Sequence, residues 1–203
     1  MKIICIGRNY VDHAKELKNP IPENPVFFMK PQTALLPNNK PFYYPDFSTN
    51  IHYELELVIK INRNGKYIPE RFAYKYYDEV ALGIDFTARD LQAEAKSKGL
   101  PWEIAKGFDG AAPISPFVAI DTLNDKENIQ FSLLKNGQEV QRGSSKDMIF
   151  SFSHIISYLS RFVSLKMGDI IFTGTPAGVG EVHIGDVLEA YLEHQKMINL
   201  MIK

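Results

Sequence analysis

Paired cysteines, long apolar runs and an excess of charge of either sign are all missing from this chain. Lys and Arg number 23 against 24 Asp and Glu, a formal net charge of -1, so no global field draws the protein onto nucleic acid or anionic lipid. Neither is expected as a partner. The single cysteine, Cys5, cannot form an intrachain disulfide, and within Ile3-Ile4-Cys5-Ile6 it reads as a small buried hydrophobe with no activating cation beside it. Nowhere do about 18 apolar residues run together, and the apolar start ends at Gly7-Arg8-Asn9, shorter than a secretory leader core. A cytoplasmic address is the expectation. A zinc centre is disfavoured because there is no cysteine pair and no His-x-x-x-His, the five histidines being scattered.

What is present suits one globular unit. The 203 residues, 45% hydrophobic and 23% charged, can bury a sizeable core, so residues 1–203 are read as a single domain. Short strands with turn punctuation dominate, which points to a β-rich mixed α+β fold with few helices. Asn64-Gly65 after Leu55-Glu56-Leu57-Val58-Ile59-Lys60-Ile61, and Asn136-Gly137 after Phe131-Ser132-Leu133-Leu134, both predict tight hairpin turns. Gly168-Asp169 and Gly185-Asp186 each launch an apolar strand. Helices are predicted over 69–80, 88–98 and 147–163, the last because Ile149, Phe152, Ile156, Leu159 and Phe162 recur at helical spacing. The proline-dense stretch from Pro20 to Pro45 predicts irregular extended chain.

The chemistry-bearing residues fall into four groups. In Tyr53-Glu54-Leu55-Glu56-Leu57, strand alternation turns Glu54 and Glu56 to one face. Alone, such a pair reads as a solvated face. Asp85 changes the balance, because it closes the apolar run Val80-Ala81-Leu82-Gly83-Ile84 just before a helix start. Three carboxylates suit a hard divalent ion, Mg²⁺ with Mn²⁺ or Ca²⁺ as alternatives, and leave coordination positions open for substrate and water. Unneutralised, they would raise one another's pKa.

Near the amino end, Asn9 or Asp12 could cap a short helix that carries His13 and Glu16 three apart, either a surface pair or a general-base dyad. The Thr173-Gly174-Thr175-Pro176-Ala177-Gly178-Val179-Gly180 stretch is either a plain turn or a cradle of backbone N–H groups for an anion. It lacks the Gly-Lys-Ser/Thr ending of a nucleotide loop. Lys106 stands among apolar and glycine residues, where a solvated lysine is less expected.

Six stretches, in order, resemble the catalytic domain of the fumarylacetoacetate hydrolase family. They are Cys5-Ile6-Gly7-Arg8-Asn9-Tyr10 leading to His13 and Glu16, Phe28-Met29-Lys30-Pro31, Tyr53-Glu54-Leu55-Glu56-Leu57, Asp85-Phe86-Thr87-Ala88-Arg89-Asp90-Leu91-Gln92, Ala105-Lys106-Gly107-Phe108-Asp109, and Gly168-Asp169-Ile170-Ile171-Phe172-Thr173-Gly174-Thr175-Pro176. The resemblance implies a β-rich roll or sandwich, a metal held by Glu54, Glu56 and Asp85, a homodimer, and a short lid over 9–18. It implies Lys106 beside the metal and Lys30, Arg89, Gln92 and Thr175 on substrate oxygens. Two departures are Ser115-Pro116, where the family often has Gly-Pro, and Glu193-His194-Gln195-Lys196, which lacks the usual glycine turn.

Without an extra amino-terminal domain, the chain is most similar to the compact acylpyruvase and oxaloacetate decarboxylase branch. The activity implied is hydrolysis of a C–C bond in acylpyruvates, with oxaloacetate decarboxylation as a possible second activity. Isomerisation or decarboxylation of unsaturated dicarboxylic 2-keto acids is the alternative within enzymes. A non-catalytic ligand-binding protein on the same fold is the alternative outside them.

Overall fold

The computed structural model of the chain describes residues 1–16, 20–37 and 40–203. Its centre is an eight-stranded mixed sheet. From one edge the order is Val26–Lys30, Ile3–Gly7, Ile170–Phe172, Leu55–Ile61, Tyr77–Ile84, Ala112–Ile114 and Leu35–Pro37, with Val118–Ala119 attached to Tyr77–Ile84. The pairs Ile3–Gly7 with Ile170–Phe172 and Leu35–Pro37 with Ala112–Ile114 are parallel. A four-stranded antiparallel sheet runs Gln138–Ser144, Gln130–Lys135, Val187–Leu192, Gln195–Met201, and a small one runs Gly180–Glu181, Ile51–Tyr53, Thr87–Ala88. Strand-rich, mixed in direction and carrying short helices, the fold is α+β as the sequence predicts.

The central strands are buried on both faces. Leu55, Leu57, Val58, Ile59 and Ile61 have no exposed surface, which explains why the run reads as nearly continuous apolar residues around Glu56. Cys5 lies in the same core, and burial raises its thiol pKa, so it is inert.

Several local expectations hold. Asn136 (φ 54°) and Gly137 (φ 80°) form a two-residue turn with positive φ at both positions, the geometry that matches strand twist. Gly168 and Gly185 also adopt positive φ ahead of strands Ile170–Phe172 and Val187–Leu192. The helix Arg89–Lys98 ends at Gly99 in the left-handed conformation. At the glycine-less turn, Glu193 itself takes φ 52°, and its carboxylate accepts hydrogen bonds from the backbone and side chain of Asn124.

Others are corrected. No hairpin forms at Asn64-Gly65: Leu55–Ile61 pairs with Tyr77–Ile84, and Gly65 instead exchanges two backbone hydrogen bonds with Leu165. The helix expected over 69–80 is one turn, Glu70–Ala73, followed by a 3₁₀ turn, Tyr74–Tyr76. From Tyr77 onward the central sheet claims the chain, and pairing on both edges outweighs local propensity. The helix expected from 147 begins at Phe152, capped by Ser151, because Asn9 captures the preceding segment: its carbonyl takes Ile149 N–H and its Oδ1 takes Phe150 N–H. Asn9 is therefore a tie between loops and not a helix cap. The proline-rich stretch contains two strands, Val26–Lys30 and Leu35–Pro37, whose edge positions tolerate the flanking prolines. Among the described residues, no helix is long and apolar enough to cross a membrane.

Candidate active site

Register builds the acidic cluster. Leu55 pairs with Ile84 and Glu56 with Gly83, so the next position outward sets Glu54 opposite Asp85, and Asp85 N–H donates to the Glu54 carbonyl at 2.8 Å. Cross-strand neighbours share a face, and Glu56, two residues on, shares it too. One carboxylate oxygen from each of Glu54, Glu56 and Asp85 lies within 4.8 Å of the others, and all three residues are buried.

Buried cations and N–H groups surround them. Lys106, at the end of the short helix Glu103–Lys106, donates to Glu54 Oε2 (2.9 Å), Asp85 Oδ2 (2.8 Å) and Thr87 Oγ1 (2.5 Å). Arg89 donates to Glu54 Oε1 (2.6 Å) and Gln92 Oε1 (2.7 Å). Gly174 N–H donates to Glu56 Oε2 at 2.7 Å, at φ 103° and with its Cα facing Asn9, where a Cβ would stand 2.6 Å from Asn9 Cβ. The Thr173–Gly180 stretch does present N–H groups to anions, and these anions are the protein's own carboxylates.

The electrostatics divide the acids. Burial pushes Glu54 up, but Lys106, Arg89 and His13 oppose it and hold its pKa below the ordinary range. Burial raises Glu56, and the charges of Asp85 and Glu54 raise it further. Burial opposes protonation of Lys106, yet Asp85 and Glu54 raise its pKa, so it stays an ammonium.

The helix Val11–Glu16 carries the histidine. His13 is buried, and its Nδ1 lies 3.4 Å from Glu16 Oε2. Glu16 also accepts from Gly178 N–H at 3.1 Å, which docks the helix on the Thr173–Gly180 stretch. Burial lowers the His13 pKa, with Glu54 and Glu16 partly offsetting it. Asp12 lies inside the helix, and residues 17 and 18 of the expected lid are outside the described residues.

One cavity gathers His13, Glu54, Glu56, Asp85, Lys106 and the Arg89–Gln92 pair, with Thr175 on its wall. Thr175 is aligned by Gln141, whose amide donates to Thr175 Oγ1 (2.9 Å) and the Pro176 carbonyl (2.9 Å) while its Oε1 takes Leu55 N–H (2.9 Å). Lys30 does not line this cavity. Its side chain is fully buried beneath Asp85, donating to the carbonyls of Phe86 and Ala111 (3.1 Å each) and of Lys106, so contact with substrate oxygens is reassigned to support of Asp85. Sequence reasoning also missed Arg8, Lys96, Phe28 and Trp102, which line the same cavity. A signal existed for one of them: Arg89, Gln92 and Lys96 follow an i, i+3, i+7 spacing on one helix face.

The model of the fumarylacetoacetate hydrolase C-terminal domain matches residues 2–201. The chain belongs to the fumarylacetoacetate hydrolase family. Within that family, the mitochondrial oxaloacetate tautomerase of Mus musculus is 41% identical over 99% of this chain and 91% of its own length. The mitochondrial oxaloacetate decarboxylase of Dictyostelium discoideum is 43% identical over 93% of this chain and 87% of its own. Among solved structures, the fumarylpyruvate hydrolase of Pseudomonas aeruginosa in complex with Mn²⁺ and pyruvate superimposes with a TM-score of 0.93 at 37% identity, covering 100% of this chain and 90% of that one. These three relatives are thus named for tautomerisation or decarboxylation of oxaloacetate and for hydrolysis of fumarylpyruvate.

Proposed function

We propose that the chain, acting as one catalytic domain, is a metal-dependent hydrolase that cleaves acylpyruvates to pyruvate and a carboxylic acid. The observation that carries this reading is the trio of carboxylate oxygens within 4.8 Å in the cavity that holds His13, itself paired with Glu16. The residues fit a hard cation. The donors are all oxygen, and the three buried carboxylates lie close enough to raise one another's pKa, as Glu56 shows, a conflict that a divalent ion relieves. Mg²⁺ is the proposed ion, with Mn²⁺, present in the Pseudomonas aeruginosa structure, or Ca²⁺ as substitutes.

Glu54, Glu56 and Asp85 would hold the ion, which when bound would polarise the 2-keto group as a Lewis acid. Arg89, Gln92 and Thr175 would orient the substrate's carboxylate and keto oxygens. His13, held by Glu16, takes a proton from water as the water oxygen adds to the C4 carbonyl. The C3–C4 bond then breaks, its electron pair passing to the pyruvate half as an enolate. Lys106 stabilises the charge developing on oxygen, and His13 returns its proton to C3. Hydroxyl ends on the acyl carbon and hydrogen on pyruvate. The buried, neutral His13 supports the base role at neutral pH.

A second reading, favoured by the oxaloacetate-directed relatives, acts on oxaloacetate without an attacking water: tautomerisation moves a C3 proton to give oxaloacetate's own enol, and decarboxylation releases carbon dioxide to leave the pyruvate enolate. A substrate panel with and without EDTA, on the parent and His13→Ala, separates them. Acylpyruvate turnover that stops in chelator and falls in His13→Ala supports hydrolysis. Undiminished turnover in chelator ends the metal part, an unaffected variant ends the dyad, and consumption of oxaloacetate alone selects the second reading. A homodimer and a cytoplasmic address belong to the same proposal. Sedimentation and cell fractionation test them.

A further inference from the structure

The cavity holds more positive charge than its acids use. Lys106 and Arg89 are committed to Glu54 and Asp85. Arg8 and Lys96 line the same cavity, and among the described residues neither has a carboxylate within ion-pair distance. Lys96 lies over the face of Trp102, its Nζ 5.3 Å from the ring centroid.

The placement of the two is directional. Arg89, Gln92 and Lys96 form a stripe along one face of the helix Arg89–Lys98, spanning about 10 Å at 1.5 Å per residue. Arg89 touches Glu54 at the acidic end, and Lys96 stands exposed at the other. The Phe28 and Trp102 rings, packed edge to face at 5.9 Å, line the same cavity. Arg8 reaches the cavity from a separate element, just after strand Ile3–Gly7.

Arg8 sits at φ 61°, a left-handed conformation that glycine adopts freely and that costs a side-chain-bearing residue strain. Next to it, Asn9 is fixed by side-chain hydrogen bonds to Phe150 and Thr173. A long cation at a position better suited to glycine points to use of the guanidinium itself.

We propose that Arg8 and Lys96 form a clamp for a second carboxylate at the far end of the substrate's acyl chain, making the enzyme selective for dianionic 2,4-diketo acids over those with a neutral acyl group. The clamp rests on the keto-acid reading of the site, and it adds the residues that set the acyl group. Guanidinium and ammonium together neutralise and hydrogen-bond one carboxylate. The Phe28 and Trp102 rings flank the carbon chain between the two ends. Burial, then the positive charges of Arg89 and Arg8, lower the pKa of Lys96, as crowded cations do.

The test compares kcat/KM for fumarylpyruvate, whose acyl end is a carboxylate, with that for acetylpyruvate, whose acyl end is a methyl. The parent, Arg8→Gly, Arg8→Lys and Lys96→Met are measured in the same metal-loaded buffer. The expected result is a parent preference for fumarylpyruvate that falls about 10–100-fold in Arg8→Gly, mainly through KM, and recovers in part in Arg8→Lys. Lys96→Met lowers the same ratio, and Arg8→Gly keeps or raises the melting temperature because it relieves the backbone. A ratio that is the same in the variants as in the parent overturns the clamp, whatever the absolute rates. Should the parent turn over neither compound, the hydrolase reading is lost, and the clamp is decided by the ratio of their Kd values as ligands, which must fall in Arg8→Gly for it to stand.

Discussion

Lys30 Nζ lies 2.7 Å from Asp85 Oδ1, a fully buried ion pair, while the same ammonium donates to the carbonyls of Phe86, Lys106 and Ala111. The lysine neutralises the acid and ties it to the backbone beneath the site. Three stretches of chain thus meet at one ammonium. Lys30→Met is expected to cost about 3–5 kcal/mol in urea unfolding, the range for removing one partner of a buried ion pair. A loss within about 0.5 kcal/mol, as for a surface lysine, would contradict this placement.

On the proposed mechanism, the His13–Glu16 pair is expected to set the acid side of the pH profile. The base must be neutral, and burial lowers the His13 pKa below its ordinary 6.5, so kcat/KM should hold as pH falls through 6.5 and decline only below it. Glu16 raises that pKa, so Glu16→Gln should move the acid limb further down while reducing kcat by about 10–100-fold. His13→Ala should remove the limb altogether. A limb that moves upward in Glu16→Gln would contradict the dyad.

On the proposed ligand set, Glu56 is expected to couple ion binding to protons, because burial and its two acidic neighbours raise its pKa and a divalent ion would favour the carboxylate. Ion affinity should therefore weaken on acidification from a pH above the usual carboxylate range, by up to about tenfold per pH unit. Calorimetric titrations of Mg²⁺ in buffers of different ionisation enthalpy should register proton release on the acidic side. Proton-neutral binding throughout would count against it.

Gly174 joins the loop to the site. Alanine there must adopt φ 103° and bring a Cβ to 2.6 Å from Asn9, displacing the N–H that meets Glu56. Gly174→Ala is expected to cost about 1–3 kcal/mol in stability and to weaken ion binding together with it. An unchanged ion affinity would detach the loop from the acids.

The residue types of the site were legible in the sequence because strand alternation and a strand-end acid carry a chemical pattern. Their convergence was not. Glu54 meets Asp85 only through the register of Leu55–Ile61 against Tyr77–Ile84, and no tight turn joins those strands to announce it. The same gap misled the reading of 69–80 as helix, since the pull of a central sheet leaves no local mark. Asn9 hid the start of the last helix for a similar reason: its bonds to Ile149 and Phe150 span the chain. Lys30 looked like a substrate contact by resemblance, and only coordinates reveal that its donors are already taken. The stripe of Arg89, Gln92 and Lys96 was readable by spacing alone, but nothing local told which way that face turned.

Direct counting of bound ions tests the central claim most plainly. Electron paramagnetic resonance titration with Mn²⁺ is predicted to find one tight site per chain in the parent, weakened by at least about 100-fold in Asp85→Asn and in Glu56→Gln, and displaced by Mg²⁺. A parent chain that binds no Mn²⁺, or variants that bind it as tightly as the parent, would contradict the assignment of Glu54, Glu56 and Asp85 to a single cation.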